Sequence, residues 1–201
     1  MKEYLVWLDL ETTGLNRDYE LVLEIAVCVT KLDSFEPLFT LDCPLRFSRD
    51  SEVYHNADEI VKTMHENTGL WTICETTSYN THTIDEVLAA NFIRLGLDSD
   101  SVCYPAGSNP KFDTGFCELF FPKFYKFLSH RSFDVRALKI AHRIQRGEYP
   151  NMEHLQVKPA HRAWNDVVTS MNEAAFLLGF PPIDTGAEDV ILLAQHLGKQ
   201  L

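Results

Sequence analysis

The chain has 201 residues, 45% of them hydrophobic and 23% charged, and carries a formal net charge of −11. That length and apolar content suit one large folded domain, or one domain with an extension, and exclude a disordered chain. The acidity argues against a protein that coats long nucleic acid through its overall field. No stretch approaches the roughly 20 apolar residues of a membrane span.

The opening MKEYLVWLDL has an acid at Glu3 and no small-residue cleavage site, so it does not read as a signal peptide. It also lacks the Arg- and Ser-rich character of a transit peptide. The expectation is a soluble, cytoplasmic protein with no membrane partner. Cys28, Cys43, Cys74, Cys103 and Cys117 are odd in number and form no C-x-x-C, which reads as reduced core thiols.

Strand signals come first, over Tyr4 to Leu10, Leu21 to Leu32 and Pro37 to Phe47. A helical pattern runs from Asn56 to Asn67 and ends near Gly69, which would suit a C-cap. In THTIDEVLAANFIRLG, Thr83 and Glu86 read as a capping box ahead of an apolar face of Ile84, Val87, Leu88, Phe92 and Leu95. SVCYPAG is a short strand, and Pro110 fits the first turn of the helix after it. Further helices are expected over 134–146, from about Trp164 to Leu178, and in AEDVILLAQHL near the end. The boundaries expected are a domain over 1–180 and a helical extension over 181–201. Three early strands, then helices around one more strand, point to an α/β mixed sheet with helices packed on it.

The run YLVWLDLETTGL poses a problem. Asp9 and Glu11 lie at the end of an apolar strand, and residues two apart share a face. Two neighbouring carboxylates are costly there unless water or a cation reaches them. Asp113, in NPKFDTGF, sits in a first helical turn among large apolar residues. HRAWND then supplies His161 and Asp166. Five residues turn about 140° along an ideal helix, so His161 must precede the helix if both are to reach one site.

Asp9 and Glu11 in DLETTGL, Asp113 in FDTGF, and His161 with Asp166 in HRAWND resemble the three motifs of the DEDDh 3′→5′ exonucleases. The resemblance implies an RNase H-like exonuclease fold with a mixed five-stranded sheet. It also implies catalytic roles for these five residues. Phosphodiester hydrolysis needs an activated water and charge stabilisation at both reacting oxygens, which two divalent cations supply together. Magnesium or manganese prefers hard oxygen ligands, which fits Asp9, Glu11, Asp113 and Asp166 as metal ligands. His161 is of the side-chain type that suits the general base.

Within that superfamily the chain is similar to the oligoribonuclease branch, including Trp7, MHENTGL and RSFDVRAL. This implies short single-stranded RNA as substrate, a homodimer, and substrate contacts from Thr12, Gly14, Leu15, His65, Leu70, Asn109, Arg131 and Arg136. Core packing is the competing reading for Leu15 and Trp7. The chain departs from the branch where that family caps the 5′ phosphate with hydroxyls. Asn109, Arg136 and Ala137 stand there, His130 replaces a tyrosine, and Ile60 replaces a tryptophan.

Seven basic residues between Lys123 and Arg146 form either a solvated helix face or an anion-binding patch. Arg136, Lys139, Arg143 and Arg146 share one face of their helix. The segment FFPKFYKFLSHRSF holds more aromatics than one helix face can hide, which suggests a partner surface. Two alternatives stand beside the RNA reading. One is the same chemistry on single-stranded DNA or structured RNA 3′ ends, and the other is a non-catalytic nucleic-acid-binding module.

Overall fold

The computed structural model describes residues 2–158, 161–181 and 183. A five-stranded mixed sheet runs in the order β3-β2-β1-β4-β5, formed by β1 (Lys2–Thr12), β2 (Val22–Lys31), β3 (Pro37–Pro44), β4 (Ser101–Gly107) and β5 (Phe133–Asp134). β1 pairs antiparallel with β2 and parallel with β4. Four of the strands carry clear apolar patterns in the sequence. β5 is only two residues long and falls below any periodicity signal.

β1 is apolar throughout because both its faces are covered. Val6, Leu8 and Leu10 pack with Ile84, Leu88 and Phe92 of α4 (Thr81–Arg94) and with Phe116 of α5 (Pro110–Phe120). Leu5 and Trp7 point the other way, against Val135 of α7 (Val135–Arg146) and Ala163, Val167, Met171 and Ala174 of α8 (Ala163–Leu178). Trp7 is therefore core, and its indole N–H donates to Thr30 Oγ1 at 3.0 Å. Alternation places Asp9 and Glu11 on this second face, towards α8.

Several local expectations change. The helix expected up to Asn67 is α2 (Glu59–Asn67), and it is flanked by two short helices not read from the sequence, α1 (Glu52–Asn56) and α3 (Leu70–Thr76). Gly69, left-handed at φ 70°, closes α2 as expected, donating its N–H to Glu66 O at 3.0 Å, and is also the N-cap of α3. Asn80 caps α4 by accepting from Thr83 N, so Thr83 lies inside the helix and Glu86 pairs with Lys123 across to α6 (Pro122–Tyr125). The aromatic segment does not form an exposed patch. Phe121 and Phe124 are fully buried, and Phe120, Tyr125 and Phe127 pack against the same core. The chain turns at Phe121 between α5 and α6, so the rings are shared between two helices.

All five cysteines are free and buried, and burial pushes the thiols of Cys28, Cys43 and Cys74 up to about 12. Among the described residues no helix is long and apolar enough to cross a membrane. The expected last helix lies outside the described residues.

Buried Asp85 ties α4 to α6 by accepting from Lys123 N at 3.0 Å and from Phe124 N at 2.9 Å. Asp85→Ala leaves those N–H groups unpaired. It should cost about 1–3 kcal/mol in urea unfolding, and an unchanged midpoint would contradict this role.

Candidate active site

The chain brings its five motif residues to one end of the sheet from four elements. Asp9 and Glu11 come from the end of β1, Asp113 from the first turn of α5, and Asp166 from the first turn of α8. His161 lies in the turn before α8. Asp113 Oδ1 accepts the Leu10 backbone N–H at 3.0 Å, which fixes that helix turn against the strand between Asp9 and Glu11. Asp166 Oδ2 accepts the His161 N–H at 3.0 Å, folding the turn back over the helix start. Glu11, His161 and Asp166 each offer a ligand atom within 4.8 Å of the others.

His161 has φ 62°, in the left-handed region that a side chain rarely adopts. This backbone conformation sets the imidazole apart from the helix, so a five-residue spacing no longer separates it from Asp166. Buried His65, on α2, has Nε2 3.0 Å from the Thr12 carbonyl oxygen. A carbonyl only accepts, so Nε2 carries the hydrogen and Nδ1 carries the lone pair. Burial holds the His65 pKa below its ordinary value. Its Nδ1 stands 3.8 Å from Glu11 Oε2 with no hydrogen-bond partner, which makes it a neutral acceptor facing the acids and not half of an ion pair.

Burial of the carboxylates dominates the electrostatics, with their crowding second. Burial first, then Asp113, Glu11 and Asp166, hold Asp9 well above the usual carboxylate range. Burial, followed by Asp166 and Glu24, pushes Glu11 up to about 8. Asp113 rises to about 7 through burial, opposed by the Leu10 N–H and the charge of Arg136. Asp166 is raised as well, chiefly by burial. Four mutually repelling oxygen donors with raised pKa values, beside one imidazole, form a donor set that suits hard divalent cations such as magnesium or manganese.

The remaining residues separate into groups. Leu15 is 84% exposed and lines an open cleft with Arg17, Asn109, Lys111 and Tyr125. Ile60, Thr63, Met64 and Lys158 line a second cleft that His161 also borders. Thr12 is buried, and its hydroxyl donates to the Gly14 carbonyl at 2.7 Å, shaping the loop before Leu15. Asn109 is the left-handed N-cap residue of α5, and its N–H donates to Asp134 Oδ1. Arg136 Nε donates to Ser108 Oγ at 3.1 Å, close enough to the acids to influence Asp113. Leu70 is fully buried and packs with Leu23, Phe47 and Trp71. Arg131 lies near Tyr104, which pairs with Leu5 on β1, several residues short of the acids.

Three residues with a part in this site escape a reading of the sequence: Glu24, Asp42 and Arg162. Glu24 lies opposite Glu11 across the β1–β2 ladder and is fully buried. It accepts a guanidinium fork from Arg162, the residue after His161. Asp42 lies opposite Ala26, one strand further out, and burial raises it to about 7. A lone acid in the apolar run VLEIAVCV was the available signal for Glu24.

No family model matches the chain. An oligoribonuclease of Pseudoalteromonas translucida is 27% identical over 86% of this chain and 92% of its own length. One of Rhodococcus jostii is 28% identical over 98% of this chain and 99% of its own. A probable oligoribonuclease of Caenorhabditis elegans is 29% identical over 86% of each. Among solved structures, exonuclease I from Methylocaldum szegediense matches with a TM-score of 0.64 at 17% identity, covering 87% of this chain and 40% of that one. A zinc-bound Escherichia coli exonuclease I complex with single-stranded DNA gives 0.61 at 17% identity, covering the same shares. The chain thus spans under half the length of those solved structures. It is similar to oligoribonucleases in sequence and has the RNase H-like exonuclease fold.

Raised carboxylate pKa values give stability that is full at low pH and lost as pH rises through the folded values. For Glu11 and Asp113 the loss runs from about 4 to about 8. Metal-free protein should therefore melt at a lower temperature at about pH 9 than at about pH 6. Manganese should raise the melting temperature more at the higher pH. Scanning calorimetry checks both, and a metal-free melting temperature that climbs over this range would contradict the reading.

Proposed function

We propose that this relative of the oligoribonucleases is a metal-dependent 3′→5′ exoribonuclease that hydrolyses short single-stranded RNA to nucleoside 5′-monophosphates. One observation carries the proposal: Asp9, Glu11, Asp113 and Asp166 converge with His161 at one end of the sheet. A non-catalytic module would have no use for all five.

Two magnesium or manganese ions held by the four carboxylates would neutralise the attacking and leaving oxygens and acidify a bound water. The protein's own groups do the rest. His161, exposed beside Glu11 and Asp166, takes the proton of the attacking water. Water adds to phosphorus, the bond from phosphorus to the 3′ oxygen breaks, and the phosphate leaves on the 5′ carbon of the released nucleotide. The shortened RNA keeps a 3′ hydroxyl once that oxygen is protonated. His65, fully buried with Nδ1 towards Glu11, borders that carboxylate from behind. Leu15 offers an apolar edge to the bases. Arg136, held beside Ser108 at the start of α5, would take a phosphate through its guanidinium.

The basic face of α7 narrows under this description. Lys139 is spent on Glu173 at 2.6 Å, and Arg143 lies over the Tyr149 ring. Arg136 is then the member that acts nearest the acids. We place the enzyme in the cytoplasm as a homodimer. Its exposed apolar candidates for contact are Ile140 and Ile144 on α7, since the aromatic segment is already packed.

Asp113→Asn should abolish turnover and weaken manganese binding. His161→Ala should lose roughly 10²–10⁴ in rate while still binding manganese by calorimetry. The assay pairs labelled RNA of two and five nucleotides with DNA of equal length, and reads the products by mass. Products bearing a 3′ phosphate, or undiminished hydrolysis in excess EDTA, would overturn the proposal. Faster turnover of DNA than of RNA would move the substrate to single-stranded DNA ends. A monomer by light scattering at micromolar concentration would remove the dimer.

A further inference from the structure

Beside the acids stands an ion pair that the chemistry above leaves unused. Glu24 is fully buried, in a strand otherwise apolar from Val22 to Val29. It accepts from Arg162 Nε at 3.0 Å and from Arg162 Nη2 at 2.6 Å, and its Oε2 also accepts the Ala163 backbone N–H at 2.9 Å. Ala163 is the first residue of α8, so a side chain from the sheet performs the capping that the helix's own N-cap residue, Arg162, does not. The turn is therefore held on both sides. Asp166 takes the His161 N–H, while Glu24 takes Arg162 and Ala163.

His161 needs such restraint. A non-glycine residue at φ 62° is strained and persists only where its surroundings over-determine it. We propose that Arg162 and Glu24 are positioning residues, a clamp that holds the turn in the conformation aiming His161 and Asp166 at Glu11. The same guanidinium offsets a local charge problem. Glu11 and Glu24 are cross-strand neighbours, and the positive charge of Arg162 also reaches Asp42, whose Oδ1 is buried without a partner. The clamp rests on the hydrolytic reading for what it positions, but its geometry does not.

Arg162→Lys separates the fork from the charge, because lysine keeps the cation and cannot make the bidentate pair. It should fold, with a melting temperature near that of the parent. On two-nucleotide RNA with manganese, kcat should fall about 10- to 100-fold with KM within about threefold. Arg162→Gln, which also uncovers the buried carboxylates, should lose at least as much. The His161 imidazole NMR resonance, identified by its loss in His161→Ala, should shift in Arg162→Lys and stay in place in Lys139→Ala.

An Arg162→Lys protein with parental kcat and an unmoved His161 resonance would overturn the clamp. So would a loss that appears in KM, or one that only follows the folded fraction. If the parent protein hydrolyses no oligonucleotide, the functional proposal fails. The imidazole resonance then still decides the clamp by itself.

Discussion

Burying several carboxylates beside one another at the end of β1 governs how the surrounding elements are arranged. Asp9, Glu11, Asp113 and Asp166 are brought together with their pKa values raised, and Glu24 and Asp42 add two more acids on the same face of the sheet. Each acid that can be held is held by a specific donor. Leu10 N–H secures Asp113, His161 N–H secures Asp166, and Arg162 with Ala163 N–H secures Glu24. Those donors restrain the groups without removing the repulsion. The packing of α4, α5, α7 and α8 against both faces of β1 supplies the stability against which this crowding is set.

The same constraint explains what was legible in the sequence. β1 stands out because a run buried on both faces cannot carry Asp9 and Glu11 without a reason, and period-two alternation puts the pair on one face. Asp113 was legible because Pro110 marks the helix start. His161 and Asp166 were legible as a pair only through their resemblance to a known motif. Their actual juxtaposition depends on a left-handed backbone at His161 that no spacing rule anticipates. Glu24 and Arg162 lie 138 residues apart, so their fork is a tertiary fact.

Elsewhere the sequence misled for physical reasons. Thr83 and Glu86 fit a capping box, yet Asn80 begins the helix earlier and Glu86 turns to Lys123. The aromatic segment suggested a partner surface because it was read as one helix. A change of direction at Phe121 lets Phe121 and Phe124 both enter the core. Basic residues at helical spacing suggested a continuous phosphate track, but Lys139 finds Glu173 and Arg143 finds Tyr149. Periodicity locates a face without saying what already occupies it.

Raised carboxylate pKa values and cation binding are two sides of one account, and proton release links them. Metal ligands bind deprotonated, so acids with pKa values of about 7 and about 8 must give up protons when the cation enters. Calorimetric titration with manganese at about pH 7, in buffers of differing ionisation enthalpy, counts those protons directly. Net proton release on binding is expected, diminished in Asp113→Asn. Manganese binding with no proton release, or no binding at all, would contradict it.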